Sequence, residues 1–141
     1  MKKLLILLCA IAGLAGCAST PGTPAMKAEA FDVSPDKAGV YVFRTGYASP
    51  ALAIEVLLDG DLIGSTRSQT HLFREIEPGR HTLDSRLQYT SRLEFDAKPG
   101  EVVFVRQDLL LGYLQVFTRL RKVHPSDGMR EVRYTRPAAS L

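Results

Sequence analysis

The chain has 141 residues, 45% hydrophobic and 23% charged, with two cysteines and a formal charge of +3. That length holds one domain and little more. Two of its eighteen basic residues, Lys2 and Lys3, precede an apolar N-terminal run; without them sixteen basic side chains face fifteen acidic ones, a near-neutral balance that argues against nucleic-acid binding.

The N-terminus reads as targeting. Lys2 and Lys3 form a charged start, and Leu4 to Leu14 is an apolar core. Eleven helical residues span only about 16 Å, against a hydrocarbon core of about 30 Å, so export with cleavage is expected rather than a permanent span. Leu14-Ala15-Gly16-Cys17 resembles a bacterial lipobox, which implies a signal peptide over 1–16, cleavage between Gly16 and Cys17, and acylation of Cys17. Ordinary secretory cleavage after Ala10, Ala12 or Ala15 is the alternative. In lipoproteins of this kind an aspartate after the cysteine commonly means inner-membrane retention; Ala18 stands there, so the outer membrane is expected, with the domain in the periplasm. Cys9 would leave with the signal peptide and Cys17 would carry lipid. The mature domain then has no free thiol, which excludes disulfides, thiol catalysis and thiolate metal sites.

After the cysteine, residues 17–37 are rich in Ser, Thr, Pro, Gly and Ala and read as a flexible linker. The folded domain is expected over 38–136, with a disordered tail over 137–141. Val40-Tyr41-Val42-Phe43 is apolar at every position, as in a strand covered on both faces. Asp59-Gly60 lies between two apolar runs, Ala53 to Leu58 and Asp61 to Ser65, and marks a tight hairpin. Pro78-Gly79 and Pro99-Gly100, 21 residues apart, mark two further turns, each read as closing a hairpin. Leu109 to Val123 is long enough for a helix, but Val116, Phe117 and Thr118 favour strand; Met129 to Tyr134 fits a short helix or a last strand. The whole describes an all-β domain, a small antiparallel β-sandwich of about seven or eight strands.

Val40 to Arg44, Leu58 to Gly64, Glu77 to Leu83 and Lys98 to Arg106, in that order and spacing, resemble the DUF2846 family of small bacterial envelope proteins. They also look like the wider group of PEGA-type β-sandwich modules, in which a Pro-Gly-x-His-x-Leu turn is typical. The resemblance implies the fold and the envelope compartment and brings no catalytic residues. Where the family often has paired tyrosines after the second Pro-Gly, this chain has Val103 and Phe104.

No stretch carries a catalytic signature. There is no Gly-x-Ser-x-Gly elbow, and Ser65, Ser68, Ser85 and Ser91 have no evident base beside them. If Pro78-Gly79 closed a hairpin, His71 and His81 would lie about 17 Å apart and could not share a metal ion. His124 reads as a loop residue. Asp59 and Asp61 are too few for calcium, which wants six to eight oxygens. A non-enzymatic protein without metal or cofactor is therefore expected. Tyr47, Tyr89 and Tyr113, near loops or strand ends, are the candidate ligand contacts. The expected partners are the membrane, through the lipid on Cys17, and an envelope protein, peptidoglycan or lipopolysaccharide. Arg119 to Arg136 holds six basic residues against Asp127 and Glu131, a candidate anionic-partner surface.

Overall fold

The computed structural model describes residues 30–139. The signal peptide, the lipobox and the first part of the linker lie outside the described residues. The strands are β1 (Ala38–Arg44), β2 (Ile54–Leu58), β3 (Asp61–Thr66), β4 (Thr70–Ile76), β5 (Gly79–Arg86), β6 (Thr90–Ala97), β7 (Val102–Leu111), β8 (Val116–Val123) and β9 (Arg136–Pro137). One helix, α1 (Pro125–Val132), follows β8. Among the described residues no helix is long and apolar enough to cross a membrane.

Two sheets face each other, one ordered β8-β7-β1-β4-β9 and the other β3-β2-β5-β6. Strand alternation builds the core between them: Val40, Val42, Leu72, Ile76, Val103, Val105 and Leu120 from the first sheet meet Val56, Ile63, Leu83 and Phe95 from the second. The described residues thus form a mostly β sandwich of nine strands. Its five-stranded sheet is mixed rather than antiparallel, because β1 pairs with β7, and β4 with β9, in parallel.

β1 is buried at all seven positions. Tyr41 and Phe43 point away from the second sheet and, with Phe104, are covered by Val132 and Met129 of α1 and by Phe31. Tyr41 stacks on Phe104 at 5.2 Å between centroids. Residues 31–37, expected in the linker, therefore belong to the domain; Val33 is buried, and Gly100 N–H donates to the Lys37 carbonyl at 2.6 Å. The tail reading also fails for its first residues. Pro137 pairs with His71, and Ala138 N–H donates to the His71 carbonyl at 2.7 Å.

Asp59-Gly60 is the expected hairpin turn, with φ of 52° and 92° and β2 paired to β3; two successive positive φ angles match the twist of the flanking strands. Pro78-Gly79 and Pro99-Gly100 are turns, but neither closes a hairpin. Each carries the chain from one sheet to the other, since β4 pairs with β1 and β5 with β2 and β6, while β6 pairs with β5 and β7 with β1 and β8. Proline has no N–H to close a ladder, and Gly79 at φ 142° lets the chain leave the sheet plane. The His71–His81 spacing inferred from a β4–β5 hairpin lapses with that hairpin. Leu109 to Val123 is strand, turn and strand, and the helix takes Pro125–Val132.

Candidate functional site

The strand directions sort the connections between two ends of the sandwich. The end at which β1 and β7 finish, called the upper end, gathers the connections 45–53, 67–69, 87–89 and 112–115 and the segment 133–135 after α1. The three tyrosines singled out in the sequence all lie there: Tyr47 is 80% exposed, Tyr89 52% and Tyr113 99%. Leu111 and Leu114 flank Tyr113 on the β7–β8 hairpin, and Tyr89 stacks on Phe117 at 5.4 Å. Tyr134, exposed just past α1, joins them. It escaped the sequence reading because a last strand or a helix across Met129 to Tyr134 gave no reason to place it on this end.

This surface rests on a rigid base. Arg44, only 1% exposed, ends β1 and turns its guanidinium under the following loop. Nη1 donates to the Leu52 carbonyl at 3.0 Å, and Nη2 to the carbonyls of Ala48 at 2.5 Å and Ser49 at 3.1 Å. Burial lowers the pKa of this group, yet it keeps the loop carbonyls as its partners in place of a carboxylate. Ser68 donates to the Gly46 carbonyl at 2.6 Å, and Gln69 to that of Thr45. The loop bearing Tyr47 is thus held from two neighbouring segments.

Below the loops a chain of buried polar groups closes the core. Thr66 donates to Gln107, Gln107 Nε2 to Ser85 Oγ at 2.6 Å, and Ser85 to Thr118 Oγ1 at 2.9 Å. These four residues come from β3, β7, β5 and β8, so the chain ties both sheets together with its polar atoms satisfied. Ser85 is fully buried, and its partners are an amide and a hydroxyl, neither of them a base.

The structure divides the basic C-terminal stretch. Arg119 and Arg121 face Asp108 at 3.7 and 2.8 Å, Lys122 faces Glu101 at 3.3 Å, and Arg130 faces Asp127 at 2.7 Å. Glu131 is taken by Arg106 at 3.1 Å. Among the described residues Arg133 and Arg136 pair with no carboxylate, and both lie at the upper end.

The histidines have structural partners. Thr135 donates its hydroxyl proton to the Val132 carbonyl at 2.7 Å, so His71 Nδ1, 2.8 Å from Thr135 Oγ1, acts as donor. Burial lowers the His71 pKa and keeps it neutral near pH 7. His124 caps α1, its Nδ1 accepting from Ser126 N–H. Among the described residues no three His, Cys, Asp or Glu side chains are placed to hold a metal ion.

His81 does more, at the lower end. Its Nε2 lies 2.7 Å from the Glu77 carbonyl and its Nδ1 2.6 Å from the Asp59 carboxylate, whose other oxygen accepts from Thr82 N–H at 2.8 Å. Both ring nitrogens face acceptors, so both carry protons when Asp59 is ionised. This imidazolium clamps the Asp59-Gly60 turn to the Pro78-Gly79 turn. Burial opposes the charge, but the bonds to Asp59 and Glu77 outweigh it and raise the His81 pKa; burial likewise pushes Asp59 up, and the bonds from His81 and Thr82 bring it below its usual value. The raised imidazole stabilises the fold below its unfolded pKa and loses that effect as pH rises through the folded value. The depressed carboxyl stabilises above its unfolded pKa and loses the effect as pH falls through the folded value. The clamp is therefore strongest between about pH 4 and 6.5. Thermal melts of wild type and His81→Gln should differ most in that window and converge towards pH 9; a difference unchanged from pH 5 to 9 would refute the clamp.

Two comparisons bear on kinship. An uncharacterised protein of Haemophilus influenzae is 24% identical to the chain over 102 residues, covering 70% of this chain and 61% of the relative. The chain thus spans about three fifths of that relative's length. Residues 34–119 match the family described as a protein of unknown function, DUF2846. That match takes in β1 to β7 and the start of β8, more than half of the chain, and the chain belongs to the DUF2846 family.

Proposed function

We propose that the protein is an outer-membrane lipoprotein, acylated on Cys17, whose periplasmic sandwich is a non-enzymatic binding module for a cell-envelope component. One observation carries the binding reading: among the described residues, of the large apolar side chains that are strongly exposed, all but Leu62 lie at the upper end. Apolar side chains left exposed together at one end of a domain are what an interaction surface needs. Tyrosine suits such a site, since its ring gives apolar area and its hydroxyl a polar contact at small entropic cost. The 45–53 loop that bears Tyr47 is held by Arg44, Ser68 and Gln69 before any partner arrives, which lowers the cost of binding there.

The anchor completes the reading. Thirteen residue steps separate Cys17 from Ala30 and span at most about 45 Å, which bounds how far the domain can stand from the membrane. Acyl chains contribute about 0.8 kcal/mol per buried methylene, and two or more hold stably. Cys17→Ser should abolish labelling by radioactive palmitate; mature protein that is still labelled would defeat the anchor. A second reading, an accessory subunit of an envelope complex, is favoured by the apolar tip at Leu111, Tyr113 and Leu114, which suits a protein surface. Purification in mild detergent separates the two. Retention on peptidoglycan or lipopolysaccharide supports the binder, and a stoichiometric protein partner supports the subunit.

A further inference from the structure

We infer that the β4–β9 side of the upper end is a binding cleft for an anionic saccharide. This names a ligand class for the binding module above and rests on that reading, though not on the lipid anchor. Two adjoining clefts lie here. One, of about 500 Å³, is lined by Tyr47, Tyr134, Arg133 and Arg136 among others; the second, of about 420 Å³, by Arg67, Arg136, Ser65 and Thr70 among others. Arg136 lines both and joins them into one track.

The charge balance of this track is one-sided. Among the described residues no aspartate or glutamate lines either cleft. Elsewhere on the surface most arginines face a carboxylate: Arg80 faces Asp96, Arg86 faces Glu55, and Arg92 faces Asp84. Among the described residues Arg67, Arg133 and Arg136 have none. Arg67 donates to the Ala51 carbonyl, and the Arg133 guanidinium lies 5.6 Å over the Phe31 ring. These contacts orient the two cations without neutralising them. Arg136 is presented from a pinned backbone, its N–H bonded to the Gln69 carbonyl at 3.0 Å.

The walls select for more than charge. An arginine fork binds a carboxylate or phosphate through two parallel hydrogen bonds. Tyr47 and Tyr134, both exposed in the same cleft, give flat apolar faces on which a sugar ring can lie, with hydroxyls at their edges. The clefts are open to solvent, as a chain-like ligand crossing the surface requires, and Ser65, Thr70, Gln69 and Thr135 are among the residues that line them. A sugar carrying a carboxylate or a phosphate satisfies both features, and an uncharged sugar satisfies only one.

Calorimetric titration of the mature chain carrying Cys17→Ser tests the inference with three probes. They are a carboxylate-bearing muramyl disaccharide-tetrapeptide, a deacylated glucosamine disaccharide bisphosphate, and neutral chitobiose. At least one anionic probe should bind at least about tenfold more tightly than chitobiose and weaken as salt rises. Which of the two binds tells a peptidoglycan source from a lipopolysaccharide source. Arg136→Gln should lower that affinity about tenfold or more, Tyr134→Ala should lower it too, and Arg80→Gln at the lower end should leave it unchanged, all with unaltered melting temperatures. Failure of both anionic probes, equal binding of chitobiose, or an Arg136→Gln variant that binds like wild type would overturn the cleft. A partner still captured through Tyr113 after such a failure would leave the binding module standing without this ligand.

Discussion

Arg44→Met is expected to destabilise the domain by about 3 kcal/mol, lowering the melting temperature by more than about 10 °C. Methionine fills much of the same volume, so the loss comes from hydrogen bonds rather than from a cavity. Removing the guanidinium strips the carbonyls of Ala48, Ser49 and Leu52 of a shared charged donor. Part of that loss is regained because a buried cation disappears, which keeps the figure below the sum of three charged hydrogen bonds. Arg44→Lys should recover only part of the stability, since one ammonium cannot reach three carbonyls in a fork. Chemical denaturation of the three proteins measures both effects. A methionine variant as stable as wild type would show that the loop over 45–53 holds itself.

Gly128→Val is expected to cost about as much, by the opposite mechanism. A Cβ built on Gly128 would lie 2.2 Å from Phe104 Cγ and 2.3 Å from its Cβ. Phe104 cannot swing aside: its Cβ is fixed to β7, and its ring is stacked against Tyr41. The helix must therefore lift from the sheet, exposing Tyr41, Phe104 and Val132. In an isolated helix Gly→Ala would gain about 1 kcal/mol. Here even Gly128→Ala should destabilise, by about 2 kcal/mol, because overpacking against a fixed strand outweighs propensity. A melting temperature that rises in the alanine variant would show that α1 is loosely seated.

The features legible in the sequence were the local ones. Asp59-Gly60 could be read as a hairpin because a two-residue turn with two positive φ angles specifies its own pairing. Pro78-Gly79 and Pro99-Gly100 could be placed as turns but not as sheet crossings, since a turn motif states where the chain bends and not which strand it meets next. The parallel pairing of β1 with β7 lies some sixty residues away in sequence and leaves no local mark. The same limit governs the candidate site. Tyr47, Tyr89 and Tyr113 were visible as loop aromatics, but their meeting at one end depends on strand direction. Arg133 and Arg136 looked like two members of a basic run of six. Only the positions of Asp108, Glu101 and Asp127 show that the other four are paired.

The central claim is that the upper end is the binding surface, and site-specific photo-crosslinking in intact cells tests it most directly. A photo-reactive amino acid would replace Tyr113 or Tyr134 at the upper end and, in separate strains, Arg80 or Asp96 at the lower end. Discrete crosslinked products are expected from the upper positions and none from the lower ones. Products confined to Arg80 and Asp96, or arising equally from both ends, would contradict it.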